Sequence, residues 1–460
     1  MADCHSRIFR SSLYQKESAV TKEIDRIYQV ELKVIRSKKM KHVSNEQIET
    51  KKDAELLIRQ LLNIGEAMYQ SGGEISRIEA TLHRLGKSYG AKHVSAYAIT
   101  SSIVLTAEFS EDFSITQIRR ITNRSSFNCL KMEELDRLCR DCEMNPIPVK
   151  ELQQKILSIL AEKPDMRLVY LGQLLAAFSF TFFFGGNALD AAVAVLGAIV
   201  ICLMQHFVKR IFSGEFFFNI AVSFVTGIVV ALMSVLIPSL HTNQIIIGDI
   251  MILIPGIAIT NSIRYIFSGD IVSSLEKLMD SLIQAFGIAI GFMLSLVVIK
   301  ENLIDAQALL EPLKSIVQIV SAAFGTMGFC MAFNMKKKHI IIPTIGGIIC
   351  WASYLFIQSN VNMIFLSTML SAVIIGIYGN VFARIVKIPT TVLYIPACVP
   401  LIPGGNLYYM ALAMISQDWN KFMHNLMLLT IYAFGISIGL AIANELEKMI
   451  RKIKCSKRSI

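Results

Sequence analysis

The sequence predicts an α-helical integral membrane protein, with ten transmembrane helices in two inverted five-helix repeats after an N-terminal cytosolic α/β domain. The mean hydropathy of the 460 residues is +0.53, which is high for a soluble chain. Apolar runs of about 20 residues, long enough to cross a hydrocarbon layer of about 30 Å, recur from Leu168 onward. No such run precedes Leu168, and the first residues lack the apolar core of a signal peptide. We therefore expect the N-terminal third in the cytosol.

The N-terminal third divides into two predicted parts. Residues 1–52 are rich in charge and lack an apolar period, which predicts a charged extension. Residues 53–165 combine helical apolar stripes, as in "AELLIRQLLNIGEAMYQSG", with a β-branched run, "HVSAYAITSSIVLTAEF". The run predicts one or two strands, and the whole segment predicts a compact α/β domain.

The membrane part is predicted to contain ten spans. Their approximate limits are 167–184, 188–207, 216–237, 244–262, 279–299, 313–333, 339–357, 362–383, 390–414 and 424–444. We group them as one repeat over residues 166–305 and a second over residues 306–446, followed by a basic cytosolic tail, 447–460.

Loop charges predict the orientation of these spans. With a cytosolic N-terminus, the inner loops carry nine Lys and Arg residues and the outer loops carry three. Positive charge is concentrated in the cytosolic loops of membrane proteins, so both termini are predicted to be cytosolic. The formal net charge of +10 is explained by these loops and the tail, and it does not indicate a nucleic-acid partner.

Two segments of the membrane part resemble each other. "LIPGIAITNSIRYIFSGD" at 253–270 and "LIPGGNLYYMALAMISQD" at 401–418 share six residues at a constant offset of 148. Since five spans separate the copies and five is an odd number, the copies have opposite orientations. Inverted repeats with matching broken helices are typical of secondary transporters that work by alternating access. The alternative is that proline kinks, which are common in membrane helices, match here by chance.

The Pro-Gly breaks predict a substrate site. Proline removes a backbone donor and interrupts a helix, and a half-helix that starts at the break presents free N–H groups that suit a carboxylate. The polar residues that follow each break are further candidates, although an interhelical hydrogen bond explains them equally well. The predicted substrate-binding residues are Pro255, Gly256, Asn261, Pro403, Gly404, Gly405 and Asn406.

Three ionisable residues near the first break are candidates for proton coupling or gating. Asp249 lies within the fourth predicted span, six residues before Pro255, and carboxylates at membrane depth are costly and usually functional. Arg264 and Asp270 follow the break on its predicted cytosolic side. The alternatives are an aqueous interface for Asp249, an interfacial anchor for Arg264 and a loop carboxylate for Asp270.

No pattern of residues predicts an enzyme, a metal site or a cofactor. Cys139 and Cys142 form a lone C-x-x-C, and no second pair is spaced to complete a zinc site. The chain has no GxxxxGK[ST] and no H-E-x-x-H. We therefore predict neither catalytic residues nor metal ligands, and we interpret the two cysteines as reduced thiols on one helix.

Three stretches resemble the bacterial threonine/serine exporter family, in its single-chain form with both halves fused. They are "IGEAMYQSGGEISRIEATLHRLGKSYG" at 64–90, "IPGIAITNSIRYIFSGD" at 254–270 and "YIPACVPLIPGGNLYY" at 394–409, and the resemblance covers roughly residues 53–445. Two features depart from the family pattern. Tyr265 stands where an acidic residue often follows the arginine, and residues 1–52 have no counterpart.

The resemblance implies an exporter of small hydrophilic metabolites in the bacterial cytoplasmic membrane, driven by the proton motive force. Threonine and serine are the implied substrates, a dicarboxylate such as succinate is the alternative, and a membrane sensor with a cytosolic output domain is a third reading. The implied partners are the substrate, protons and the lipid bilayer. A homo-oligomer is left open.

Overall fold

In a computed structural model of the chain, the structure describes residues 51–110, 113–121, 127–212, 214–267, 269–299 and 314–456. The described residues from Lys52 onward belong to one compact unit. The predicted extension up to residue 50, the boundary between the repeats at 305–306 and the last four residues lie outside the described residues.

The N-terminal region, residues 51–161, contains four helices and three strands. In chain order they are α1 (Lys51–Gln70), α2 (Ile75–Ser88), β1 (His93–Ala98), β2 (Ser102–Ser110), β3 (Phe113–Arg120), α3 (Cys129–Met144) and α4 (Val149–Ala161). The strands form an antiparallel sheet of order β1-β2-β3. The predicted stripe on α1, Leu57, Leu61, Ile64 and Met68, is buried, as its helical period indicates.

Strand β3 was not predicted from the sequence. Its sequence, FSITQIRR, alternates between polar and apolar residues, but only Ile115 is buried along it. Because β3 pairs with β2 alone in the described sheet, most of its side chains face outward and give little hydrophobic signal.

The rest of the described chain is almost entirely helical. The helices are α5 (Met166–Phe183), α6 (Ala188–Leu203), α7 (Glu215–Leu236), α8 (Thr242–Leu253), α9 (Gly256–Phe267), α10 (Ile271–Ile299), α11 (Lys314–Ala332), α12 (Ile341–Val361), α13 (Ile364–Val386), α14 (Thr390–Ala397), α15 (Gly404–Ile415) and α16 (Trp419–Ser456). Among the described residues, eight helical segments are long and apolar enough to cross a membrane. A ninth is obtained if α14 and α15, which meet at a bend of 47°, form one broken span.

The predicted limits differ from these helices in several places. The predicted span 244–262 is divided into α8 and α9, and neither helix alone has the length of a span. The predicted span 390–414 is likewise divided, into α14 and α15, and the predicted span 424–444 lies within the longer helix α16. The predicted span 279–299 begins eight residues earlier, at Ile271, because Ser273, Ser274 and Glu276 interrupt the apolar residues there without ending the helix. The structure therefore supports eight or nine spans, and the count of ten stays a prediction.

Glycines allow two helix pairs to approach closely. In the α7–α10 pair, a Cβ built on Gly291 would lie 2.5 Å from the carbonyl oxygen of Ile220. In the α13–α16 pair, a Cβ on Gly439 would lie 2.3 Å from the carbonyl oxygen of Met369. Small residues at such crossings are the usual means of packing membrane helices, because no hydrophobic effect drives helices together within lipid.

Replacing Gly439 by alanine should destabilise the protein by about 1–3 kcal/mol, the usual cost of forcing an extra carbon into a packed interface. The measurement is the thermal unfolding midpoint in detergent. Gly214→Ala is the matched control, because a Cβ at Gly214 meets nothing within 4 Å. Equal midpoints for the two variants would contradict this account of the interface.

Candidate functional site

The two Pro-Gly segments interrupt their helices in the same way. Ile254, after α8, is extended at φ −71° and ψ 133°, and Ile402, before α15, is extended at φ −67° and ψ 125°. The carbonyl of Pro255 then accepts a hydrogen bond from the N–H of Ile259 at 3.2 Å, and that of Pro403 accepts one from Leu407 at 3.1 Å. Each proline therefore ends one helix and its carbonyl starts the next.

The structure brings the two breaks together. Gly404, the first residue of α15, packs against the end of α8: a Cβ on Gly404 would lie 2.9 Å from Sδ of Met251 and 3.1 Å from Cγ2 of Ile254. Gly405 has more room, since a Cβ there would meet only the ring of Phe184, at 3.8 Å. Two segments about 150 residues apart in sequence are thus in contact.

Asn261 and Asn406 follow the breaks as predicted, on α9 and α15. Both are half-buried. The side-chain amide of neither residue makes a hydrogen bond to any of the described residues. The interhelical hydrogen bond considered as the alternative therefore has no support here. Their amides remain available to a polar ligand.

An aromatic cluster that was not predicted from the sequence meets Gly405 through Phe184. Phe184 packs on Phe183 with ring centroids 5.3 Å apart, and Phe183 packs on Trp351 at 4.6 Å. Trp351 stacks on Tyr354 at 4.8 Å, and the hydroxyl of Tyr354 lies 2.8 Å from that of Tyr432. The buried Nε1 of Trp351 has no hydrogen-bond partner among the described residues. The cluster meets the second break through the apolar ring of Phe184.

Asp249 is buried in α8 and is 0% exposed. Neither of its carboxylate oxygens has a hydrogen-bond partner among the described residues. It faces Gly197 of α6, where a Cβ would lie 1.9 Å from Oδ2 of Asp249. Met251, two residues later, is about 200° around the helix and meets Gly404. Asp249 and the contact between the breaks therefore lie on different faces of α8.

Another buried carboxylate, Asp190 at the start of α6, is fully bonded. Its oxygens accept hydrogen bonds from the backbone N–H of Asn187 at 2.8 Å and of His241 at 2.9 Å. The imidazole Nδ1 of His241 also lies 2.9 Å from Oδ2 of Asp190. Asp190 thus holds the start of α6 to the segment before α8, whereas Asp249 has no such partners.

Asp270 caps α10. Its Oδ1 accepts a hydrogen bond from the N–H of Ser273 at 3.1 Å, whereas its buried Oδ2 has no described partner. Asp418, 148 residues later, caps α16 in the same way through the N–H of Lys421 at 3.1 Å. The side chain of Arg264 lies outside the described residues, so the gating roles of Arg264 and Asp270 stay predictions.

The N-terminal region contacts the membrane helices at several points. The hydroxyl of Tyr394 in α14 donates to Oε1 of Glu74 at 3.3 Å, and the N–H of Cys129 donates to the carbonyl of Phe333 at 2.9 Å. Nζ of Lys336 bonds to Glu133 at 2.9 Å and also to Glu134. Burial alone would lower the pKa of Lys336, but these two hydrogen bonds outweigh burial and raise the pKa.

Cys139 and Cys142 are both buried on α3. Burial raises the pKa of each thiol above its usual value, so both thiols stay protonated near neutral pH. They therefore lack the thiolate character of a reactive or metal-binding cysteine.

The chain resembles known proteins over most of its length. The family model described as "Putative threonine/serine exporter" matches residues 59–299, and a second family model, described as "Threonine/Serine exporter", matches residues 318–445. The "Threonine/serine exporter" of Corynebacterium glutamicum is 19% identical over 403 residues, covering 85% of this chain and 82% of that protein. The "Probable threonine/serine exporter" of Mycobacterium tuberculosis is 22% identical over 388 residues, covering 81% of this chain and 72% of that protein. No solved structure matches the chain.

The two family models together span the described membrane helices and most of the N-terminal region, and they divide between α10 and α11. The apolar helices make the chain a multi-pass membrane protein. It follows that the chain belongs to the threonine/serine exporter family, whose members are transporters and not enzymes.

Proposed function

We propose that this protein is a secondary active exporter of small hydrophilic metabolites that carry a carboxylate, with threonine and serine as its main substrates. Export is coupled to the proton motive force and proceeds by alternating access, in a membrane orientation that leaves both termini in the cytosol. The observation that carries the proposal is the meeting of the two helix breaks, with Gly404 packed on Met251 and Ile254.

This contact suits carboxylate binding. The α15 half-helix starts at Gly404, so its first N–H groups and the positive end of its dipole point toward the contact between the breaks. Asn406 in its first turn and Asn261 on α9 add amides that can bond a substrate hydroxyl or amine. We propose Pro255, Gly256, Asn261, Pro403, Gly404, Gly405 and Asn406 as the substrate site.

Repeated contacts support the inverted five-helix repeats and, with them, alternating access. Gly291 approaches the carbonyl of Ile220 as Gly439 approaches that of Met369. The offsets are 148 between the glycines and 149 between the carbonyl residues. In each case the second helix after a break packs on the second helix before that break: α10 packs on α7, and α16 packs on α13. The same packing therefore recurs in both halves. Two units of one plan can exchange conformations, which would open the central site to each side in turn.

One repeated contact differs in charge. Gly197 faces Asp249 in the first half, and Gly346 faces Ala397 in the second, where a Cβ on Gly346 would lie 2.9 Å from that of Ala397. The two glycines are 149 residues apart in the sequence, and Asp249 and Ala397 are 148 residues apart. Among the residues that the structure describes at these two crossings, the first half therefore has a carboxylate and the second half has none. We propose that Asp249 carries the coupled proton, because a buried carboxylate with no partner is costly when charged and stable when protonated.

A dicarboxylate exporter is the second candidate, and the pair of breaks favours it. Two half-helices, starting at Gly256 and Gly404, could each receive one carboxylate. The aromatic ring of Phe184 beside Gly405 favours the amino acid instead, because aromatic rings attract an ammonium group.

The test measures the uptake of labelled substrate into inside-out membrane vesicles, with and without a pH gradient that makes the vesicle interior acid. Labelled threonine, serine and succinate are offered separately. Gradient-dependent uptake of threonine or serine is the expected result. Uptake of succinate alone would favour the dicarboxylate exporter. Uptake of none of them, by protein shown to be inserted, would reject both candidates and favour a sensor.

A further inference from the structure

Lys277 occupies a junction of three elements. It lies in the second turn of α10, just after the α9 half-helix. Its Nζ is 5.2 Å from the ring centroid of Tyr265 in α9 and 5.1 Å from that of Tyr69 in α1. The ammonium group therefore links the first broken span to the N-terminal region.

Lys277 has no direct ion pair with any carboxylate that the structure describes. Its side chain is half-buried, and no described carboxylate oxygen lies within 4 Å of its Nζ. Glu276 and Asp280 are carboxylates on its own helix. Glu276, however, accepts a hydrogen bond from the hydroxyl of Thr100 in the N-terminal region. Two aromatic faces stabilise a cation without cancelling its charge, so the group can still bind an anion.

The same end of the N-terminal region also contacts the second broken span. α1 ends at Gln70, and the turn that follows has Gly72 in the left-handed conformation at φ +91°. Four residues after α1, Glu74 accepts the hydrogen bond from Tyr394 of α14. Residues 69–74, which are the end of α1 and the turn after it, therefore contact Lys277 of α10 through Tyr69 and Tyr394 of α14 through Glu74.

We propose that Lys277 is a docking site for the substrate carboxylate at the end of the membrane part that faces the N-terminal region, and that Tyr69 of the turn 69–74 covers it. The carboxylate would form an ion pair with Nζ of Lys277 before it reaches the helix breaks. This inference rests on the proposed function for the identity of the substrate. Its chemistry requires only a carboxylate, which threonine, serine and succinate share.

The test compares Lys277→Gln with Lys277→Arg in the vesicle assay. Loss of the cation should raise KM about tenfold for each transported carboxylate and change kcat less than about twofold, since an interaction made during entry contributes to binding and not to the later steps. Lys277→Arg keeps the charge and should stay within about threefold of the wild type. Lys448→Gln is the control, because Lys448 is a 67% exposed lysine that pairs with Glu445 on α16. An unchanged KM for Lys277→Gln would overturn the proposal.

A second measurement separates this proposal from the proposed function. An amine-acylating reagent is applied to the wild-type protein in detergent, and the modification of Lys277 is followed by peptide mass spectrometry. Threonine, serine or succinate should slow the modification at least threefold, and threonine amide, which has no carboxylate, should not. Equal protection by threonine amide, or no protection by any carboxylate, would overturn the docking site. Protection without any transport would instead reject only the proposed export.

Discussion

Replacing Gly404 by leucine should abolish transport, with a loss of at least about 100-fold, while the protein still inserts into the membrane. A Cβ at Gly404 already falls 2.9 Å from Met251 and 3.1 Å from Ile254, and a leucine side chain would extend further into the contact between the breaks. The added side chain would separate the breaks and block the first N–H groups of α15 from a substrate. The measurement is threonine uptake into inside-out vesicles, normalised to the amount of inserted protein.

Gly214→Leu is the matched control for this prediction, because a Cβ on Gly214 meets nothing within 4 Å and Gly214 lies outside the proposed substrate site. We expect its uptake within about twofold of the wild type, with Gly404→Ala between the two extremes. Normal uptake by Gly404→Leu would remove the helix breaks from the proposed mechanism.

Replacing Asp249 by asparagine should uncouple transport from the proton gradient. The carboxylate is fully buried, has no hydrogen-bond partner among the described residues and is packed against Gly197, so an amide of nearly the same size can replace it. Asparagine cannot carry the proton. Gradient-driven accumulation of threonine should fall at least about tenfold, whereas exchange of labelled for unlabelled threonine should stay within about threefold of the wild type.

Asp418→Asn is the control for charge removal. Asp418 caps α16 through the N–H of Lys421, and asparagine is an equally good N-cap residue. This variant should accumulate threonine as the wild type does. If Asp249→Asn also accumulates threonine against the gradient, the proton is carried elsewhere and the role of Asp249 is limited to packing.

The sequence alone predicted the features that depend on local properties of the chain. The apolar runs identified a membrane protein because the bilayer sets the length of a spanning helix. Pro255 and Pro403 identified the helix breaks because proline lacks a backbone donor wherever it stands. The motifs around these breaks also indicated the family that the comparisons then gave.

Prediction from the local sequence failed where the packing of helices or the pairing of strands determines the structure. β3 was missed because only one of its side chains is buried, and the start of α10 was missed because Ser273, Ser274 and Glu276 interrupt its apolar residues. Asp249, six residues before Pro255, was grouped with the ionisable residues near the first break. In the structure it faces Gly197 on the other side of α8.

The tertiary structure decided which distant residues share a site. Gly404 meets Ile254 across about 150 residues of sequence, and Lys277 lies between Tyr69 and Tyr265, which belong to different parts of the fold. Such contacts depend on how closely whole helices approach each other, and that is set by small residues such as Gly197, Gly291 and Gly439 acting together. A helix period or a proline determines where one element starts and ends, but the packing of many elements determines which of their faces meet.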